Sequence, residues 1–448
     1  MATLLFITFA VLLLLGMPVA FSIALSALTV LLAGGVKPLM VVQRMFTAQD
    51  SFSLIAVPFF ILAGDLMSKG TVSKVLVEFA ESLVGWIKGG LTIVAVLAGM
   101  FFAAISVSGA ATTAAVGATL IPEMEKRGYR VDKSAALIAS AGTIGVVIPP
   151  SVPMVLYAVI AEQSVSTMFR NGFVPGILMG LVLIVIALVE AKKLNYPMGT
   201  KLSGRTIAKT FVKAIWGILM PLIILGGIFS GYFTSSEAAD IAVIYAIIIG
   251  FFVYRDLGAK KLYEIVKGSA KTSAVIMIII ACSGAFGWVL ANWNIPETIA
   301  NGVLSVSQNK YIIMFIIGVI ILIAGIFMET SSAIILLTPV FLPLVKAMGV
   351  NLVHFGVVFT VGLAIGMITP PVAINLFVAS SITKMPMMKI GKAIRPYLLG
   401  LVIAFFLVMY VPMFIPGLIV GGGNRPIQSA DVRTACQTGH PVAFRHNM

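Results

Sequence analysis

Charged side chains make up only 10% of the sequence, whereas a soluble globular protein carries about 25%. Acids are the scarcer sign, 16 Asp and Glu against 30 Lys and Arg. There are two cysteines, Cys282 and Cys436, too few for a disulfide framework or a thiolate metal set. The three histidines, His354, His440 and His446, are scattered, so metal chemistry beyond a coupling ion has no support. No HExxH, no nucleophile motif and no pair of acids on one helical face occurs, which argues against an enzyme and leaves no catalytic residue to name. The excess of +14 does not indicate nucleic acid either. The basic residues crowd into connectors between apolar runs, as the positive-inside rule requires. The opening run TLLFITFAVLLLL has no basic flank, so no cleavable leader is expected.

What the chain has instead is hydrocarbon. Sixty per cent of its residues are hydrophobic, in long runs along nearly the whole length. This predicts an all-α polytopic membrane protein. Ten crossings are expected: 3–16, 17–34, 53–68, 134–163, 174–192, 215–232, 236–254, 272–292, 354–383 and 396–419. Segments 72–88 and 294–308 read as amphipathic helices lying in the membrane interface. Two apolar blocks, 90–122 and 311–343, are too long for one crossing and carry polar centres, SVSGAATT and METSS. Each fits a re-entrant hairpin of two limbs. Asp65, Glu237 and Asp240 fall near span ends and read as interfacial, and the four Trp as interface anchors or packing residues.

Two of the crossings contain GVVIPPSVP (145–153) and GMITPPVAI (366–374). Proline inside a helix costs roughly 3 kcal/mol and removes a hydrogen bond that lipid cannot replace. One Pro-Pro pair is more often a kink than a site. Two pairs related by a shift of 221 residues are a different matter. The same shift places Pro122 on Pro343, Gly128 on Gly349, Gly145 on Gly366, Pro175 on Pro396 and Ser108 on Glu329. The chain therefore reads as two repeats, 1–213 and 214–420, followed by a polar tail, 421–448, expected to be disordered. Five crossings per repeat is an odd number, so the second repeat is inverted. On this topology one face collects all basic residues except five (Lys37, Arg44, Arg170, Lys310, Lys346) and three in the tail. The basic face is then cytoplasmic and both termini face outward.

Inverted repeats with helices broken at mid-membrane are the plan of secondary transporters. Unwound backbone offers carbonyl oxygens to a hard cation, and helix N-termini favour an anion. Two pseudo-symmetric sodium sites are expected. The first comprises Ser106, Ser108, Gly109, Gly145, Ile148 and Pro150. The second comprises Gly325, Thr330, Ser331, Gly366, Thr369 and Pro371. A small organic anion is expected between the tips, near Ser151, Glu329 and Asn375. Any of the hydroxyls has an alternative use, bonding back to its own helix. Glu329 suits either a functional carboxylate or a cap for the second limb. A channel would need no pair of inverted hairpin-bearing halves.

GTIGVVIPPSVPMVLYAVIAEQSVSTMFRNGFVPGILMG closely resembles the signature of the large, DctM-like membrane subunit of tripartite ATP-independent periplasmic (TRAP) transporters. GIFMETSSAIILLTPVFLPLVKAMGV, GMITPPVAINLFVASSI and GMPVAFSIALSALTVLLAGG resemble the same family, over about residues 1–420. The resemblance implies a sodium-driven importer of organic acids, such as C4-dicarboxylates or sialic acid, in a bacterial or archaeal inner membrane. It implies two partners, a four-span small membrane subunit and a periplasmic binding protein, and an elevator-type motion of the hairpins against a scaffold. Sodium is the coupling ion and no other cofactor is implied. No small subunit is expected to be fused ahead of the first span. A stand-alone sodium or proton symporter of the wider superfamily is the alternative, with Glu329 as proton carrier in the second case.

Overall fold

The computed structural model describes residues 1–199, 202–306 and 309–419. The tail, 421–448, lies outside the described residues. The described residues form twenty α-helices, and the one β-type pairing among them is an isolated bridge between Lys88 and Met198.

Local punctuation sets the first elements. Helix α1 (Ala2–Leu14) stops before Gly16, whose φ of +81° suits glycine, and Pro18 caps α2 (Val19–Ala33). At 1.5 Å per residue, both are shorter than a ~30 Å hydrocarbon core. Helix α3 (Leu39–Gln49), which hydropathy did not single out, meets the segment containing α4 (Ala56–Ser68) at 71°. Helix α5 (Val72–Val84) is the expected amphipathic helix. Its apolar face, including Val75, Leu76 and Phe79, is buried against its protein neighbours α6 and α11.

The blocks 90–122 and 311–343 each form two helices that meet at a short tip. Helices α6 (Gly90–Ser106) and α7 (Gly109–Lys126) make the first pair, α15 (Lys310–Phe327) and α16 (Thr330–Ala347) the second. The broken segments also fall where the prolines put them. Helix α8 (Val131–Thr143) passes through a 3₁₀ turn at Ile144–Val146 and the Pro-Pro pair to α9 (Val152–Ile160). Helix α17 (Leu352–Gly366) passes through its own pair to α18 (Ile374–Thr383). Both Pro-Pro bonds, 149–150 and 370–371, are cis.

The remaining helices are α10 (Val165–Lys193), α11 (Gly204–Ser230), α12 (Ser235–Ile248, continued by a π turn to Val253), α13 (Ala259–Asn292), α14 (Ile295–Val306), α19 (Met387–Ala393) and α20 (Arg395–Phe414). Helices α11 and α13 begin 11 and 13 residues earlier than hydropathy placed their spans, at Gly204 and Ala259. The extensions carry Arg205, Lys209, Lys213, Lys260, Lys261, Lys267 and Lys271. Lys and Arg are good helix formers, and their long stems reach water from a helix end, so charge ends the membrane span without ending the helix. The segment expected at 294–308 is helix α14, packed against α13 and α16. Its last two positions lie outside the described residues.

Seven of the described helices are long and apolar enough to cross a membrane singly, and the bent α3–α4 pair makes an eighth candidate. Two of the seven, α15 and α16, are the limbs of the block expected as a re-entrant hairpin, each long enough to cross singly, and the four remaining expected crossings fall on α1, α2 and the two broken segments, whose limbs are each shorter than the hydrocarbon core is thick. Packing crosses between the halves reciprocally. Helix α9 of the first half packs on α16 and α17, while α18 of the second packs on α7 and α8. A buried Tyr157, on α9, donates its hydroxyl to the Leu352 carbonyl at the start of α17 over 2.7 Å.

Candidate transport site between the hairpin tips

The first tip is built by two residues. Helix α6 ends at Ser106, Val107 turns the chain with a left-handed φ of +49°, and Ser108 is extended as the N-cap of α7. The Ser108 hydroxyl accepts from the Ala111 N–H at 3.4 Å. Ser106 Oγ lies 2.6 Å from Thr112 Oγ1 and 3.1 Å from the Ser108 carbonyl, to which Thr112 Oγ1 also donates at 2.9 Å. Three oxygens thus converge within the tip.

The second tip follows the same plan with different chemistry. Glu329 is the N-cap of α16, the position that the 221-residue shift places on Ser108. Its carboxylate accepts from Ser332 N–H and Ser331 Oγ, both at 3.1 Å. It therefore caps the limb, and it also faces the cavity described below. Thr330 is fully buried, and its hydroxyl has no hydrogen-bond partner among the described residues. An orphaned buried hydroxyl costs about 1–3 kcal/mol, so a ligand oxygen directed at a cation is a natural use for it.

At each break, two prolines lack N–H groups, so two carbonyls lose their helical donors. At the first these are Gly145 and Val146, and the Val146 carbonyl is taken by Ser151 Oγ at 2.6 Å. At the second these are Gly366 and Met367, which receive the Thr369 and Asn375 N–H groups, both at 3.0 Å. Glycine is needed here for approach. A Cβ on Gly145 would lie 2.5 Å from Thr112 Oγ1 and 2.9 Å from the Ser108 carbonyl, so the break presses on the tip oxygens. A Cβ on Gly366 would overlap the backbone of Gly325. The first break thus meets the tip and the second meets the limb that leads to it.

Both tips open on one cavity of about 180 Å³. Ser106, Ser108 and Gly109 line it from the first tip, Glu329 and Ser331 from the second, and Val146, Val152, Pro153 and Met367 from the breaks. Its remaining wall is Ile61 and Asp65 of α4 with Thr272 and Ile276 of α13. Gly64 on α4 approaches the Ser106 carbonyl so closely that a Cβ there would stand 2.7 Å from it.

Several expected site residues sit elsewhere. Ser151 is fully buried, caps α9 and donates to Val146; it supports the break from behind and does not line the cavity. Asn375 is also fully buried, with Nδ2 on the Ala139 carbonyl at 3.1 Å and Oδ1 without a partner. Thr369 Oγ1 bonds back to Ile365 at 3.0 Å, the local use open to any helical hydroxyl. The Ile148 side chain lies against Gly176, and Pro150 and Pro371 sit in the cis pairs.

Asp65, for which the sequence suggests a place near a span end, lines the cavity. Its Oδ2 accepts from Ser269 Oγ on α13 at 2.7 Å. Thr112 was missed altogether. An acid on an apolar helix was the available signal for Asp65. For Thr112 the signal was its place one turn into the limb that Ser108 caps.

The comparison that decides the family is a match over residues 6–414 to the one described as "Tripartite ATP-independent periplasmic transporter, DctM component". The chain belongs to this family. An isethionate TRAP transporter permease, DctMQ of Oleidesulfovibrio alaskensis, is 41% identical over 417 residues, which are 91% of this chain and 65% of that protein. The chain thus spans less than two thirds of that relative. The C4-dicarboxylate large permease DctM of Pseudomonas aeruginosa is 40% identical, covering 86% of this chain and 90% of that one. The sialic acid large permease SiaM of Vibrio cholerae is 35% identical, covering 91% and 97%. Among solved structures, the Alcanivorax borkumensis YdaH transporter superposes with a TM-score of 0.65 at 13% identity, over 85% of this chain and 88% of that one. That likeness is one of fold. The chain is a multi-pass membrane protein of the large permease component type.

Proposed function

We propose that this chain is the membrane permease of a sodium-coupled, binding-protein-dependent importer of small organic acids in a cytoplasmic membrane. The observation that supports it is the convergence of two hairpin tips and two proline breaks on one cavity, with oxygen donors gathered at each. Relatives named for C4-dicarboxylate, sialic acid and isethionate transport share the family and point to an acid as solute. On this reading sodium binds where the first tip's oxygens meet a break, around Ser106, Ser108, Thr112 and Gly145, and in the other half at the Thr330 hydroxyl and the break at Gly366. The hairpins and broken helices move together against a scaffold of α1–α4 and α11–α13. A four-span small subunit braces the scaffold and a soluble protein delivers the acid from outside. The basic connectors face the cytoplasm and the chain ends face outward.

The test is uptake into proteoliposomes holding this chain and its small partner, with sodium or proton gradients, and with the binding protein added or omitted. The reading requires that both sodium and the binding protein be needed. Uptake without the binding protein would establish the stand-alone symporter instead. Uptake driven by protons alone would move the coupling role to Glu329.

A further inference from the structure

Away from the tips, a recess of about 340 Å³ opens between α10, α17 and α20. It shares no lining residue with the tip cavity. Val174 and Leu178 of α10, Val357 of α17, and Leu407 and Val411 of α20 supply an apolar wall. Helix α20 runs antiparallel to α10, since Tyr397 meets Glu190 and Gly400 lies against Ile186 and Val182. That register sets Leu407 level with Leu178 and Val411 level with Val174. Arg170 lines the recess one turn before Val174, about 12 Å along the helix from Leu178 at 1.5 Å per residue. The recess is therefore cationic at one end and apolar toward the other. None of its described lining residues is Asp or Glu.

Arg170 is held ready for a partner. Its Nη2 donates to the Phe229 carbonyl on α11 at 2.8 Å, and its guanidinium carbon stands 5.2 Å from the Phe229 ring centroid. These contacts orient the head and use one of its five N–H donors. The side chain is exposed and takes part in none of the ion pairs among the described residues. We propose that this recess binds an anionic phospholipid, with its phosphate on Arg170 and an acyl chain laid between α10 and α20. A phosphate accepts the planar guanidinium through paired hydrogen bonds. Water is a poor tenant, because it needs two to four polar partners and the wall toward Leu178 and Leu407 offers apolar side chains. A small soluble anion would leave that wall uncovered. A zwitterionic lipid has the same phosphate but brings an ammonium group toward the guanidinium, and like charges repel.

The experiment uses the full-length chain, delipidated in detergent and titrated with lipid under native mass spectrometry. Phosphatidylglycerol is expected to bind about fivefold more tightly than phosphatidylethanolamine of the same chains, the worth of a well-formed, partly exposed ion pair. Arg170→Gln is expected to bring that ratio below about twofold, and Arg170→Lys, which keeps the charge, to hold it above that. Arg44→Gln removes the same charge from an arginine set over Trp288, and should leave the ratio unchanged. A phosphatidylglycerol with a photoactivatable acyl chain should label α10 or α20 beside Leu178 or Leu407. Equal binding of the two lipids, a ratio unmoved in Arg170→Gln, or labelling confined to other helices overturns the proposal. Competition by excess glycerophosphoglycerol, the head group without its chains, would show a soluble phosphate-ester site and overturn it too. Leu418 and Ile419 also line the recess, so the chain's own end is the rival occupant. Deleting 421–448 is expected to leave phosphatidylglycerol binding unchanged, and a clear gain would give the recess to that segment instead.

Discussion

Gly145→Ala tests the junction between tip and break with the smallest possible change. The new methyl would lie 2.9 Å from the Ser108 carbonyl and 3.1 Å from Gly109 Cα, both backbone atoms, and 2.5 Å from Thr112 Oγ1. Thr112 can rotate, though only by giving up its bonds to Ser106 and Ser108. The backbone must retreat by about 0.5 Å to reach ordinary contact. Overpacking of this kind costs about 1–3 kcal/mol. A binding constellation tolerates only about 0.5 Å of error, so the displacement is as large as the tolerance. If a cation is held there, the loss falls on its binding, and 1.4 kcal/mol is tenfold. The expected result is a sodium activation curve for uptake shifted about tenfold or more toward higher concentration, with the protein still monodisperse in detergent. Gly287→Ala on α13 is the control, because nothing stands within 4 Å of its added Cβ. It should be neutral or slightly stabilising, by up to about 1 kcal/mol, from helix propensity alone. An unchanged sodium curve in Gly145→Ala would refute the assignment of a cation to this junction.

Two further outcomes follow from the geometry. Thr330→Val replaces an orphaned, fully buried hydroxyl with a methyl of the same shape. Without sodium the variant should be as stable as the wild type or more so, by up to about 2 kcal/mol. Sodium should stabilise it less, a contrast that thermal unfolding at several sodium concentrations reads directly. Glu190→Gln strips the charge from a mostly buried cluster in which Lys133 Nζ lies 2.6 Å from Glu190 and the Tyr397 hydroxyl donates to it at 2.5 Å. The stranded Lys133 should lower stability by about 2–3 kcal/mol, below the ~3–5 of a fully buried pair because both groups keep some solvent contact. An unfolding midpoint equal to that of the wild type would show that the cluster does not tie α8, α10 and α20 together.

Much of this was legible without coordinates, and the reason is local. Hydropathy and helix-breaking residues act within one or two turns, so apolar runs marked the helices and Gly-Pro punctuation marked their ends. The tips at Ser108 and Glu329 and the breaks at Pro149–Pro150 and Pro370–Pro371 all fell where residue chemistry put them. The family resemblance was legible too, because it is carried by those same residues. What covers the apolar face of 72–88 is a long-range matter. Amphipathicity shows that a face will be covered, and only packing shows that α6 and α11 cover it.

The same division separates the site residues. Ser106, Ser108 and Gly109 line the cavity, and they stand out along the chain because they form a polar tip in an apolar block. Ser151 and Asn375 lie beside the breaks in sequence, yet their side chains turn into the protein, toward Val146 and Ala139. Asp65 lies far from either tip in the chain and reaches the cavity because Gly64 lets α4 close on Ser106. Sequence by itself determined where the backbone breaks and what class of machine those breaks serve, because breaking a helix is a property of a few adjacent residues. Only the tertiary structure decided which side chains share the cavity, because that depends on how separate helices stack, and no local rule specifies it.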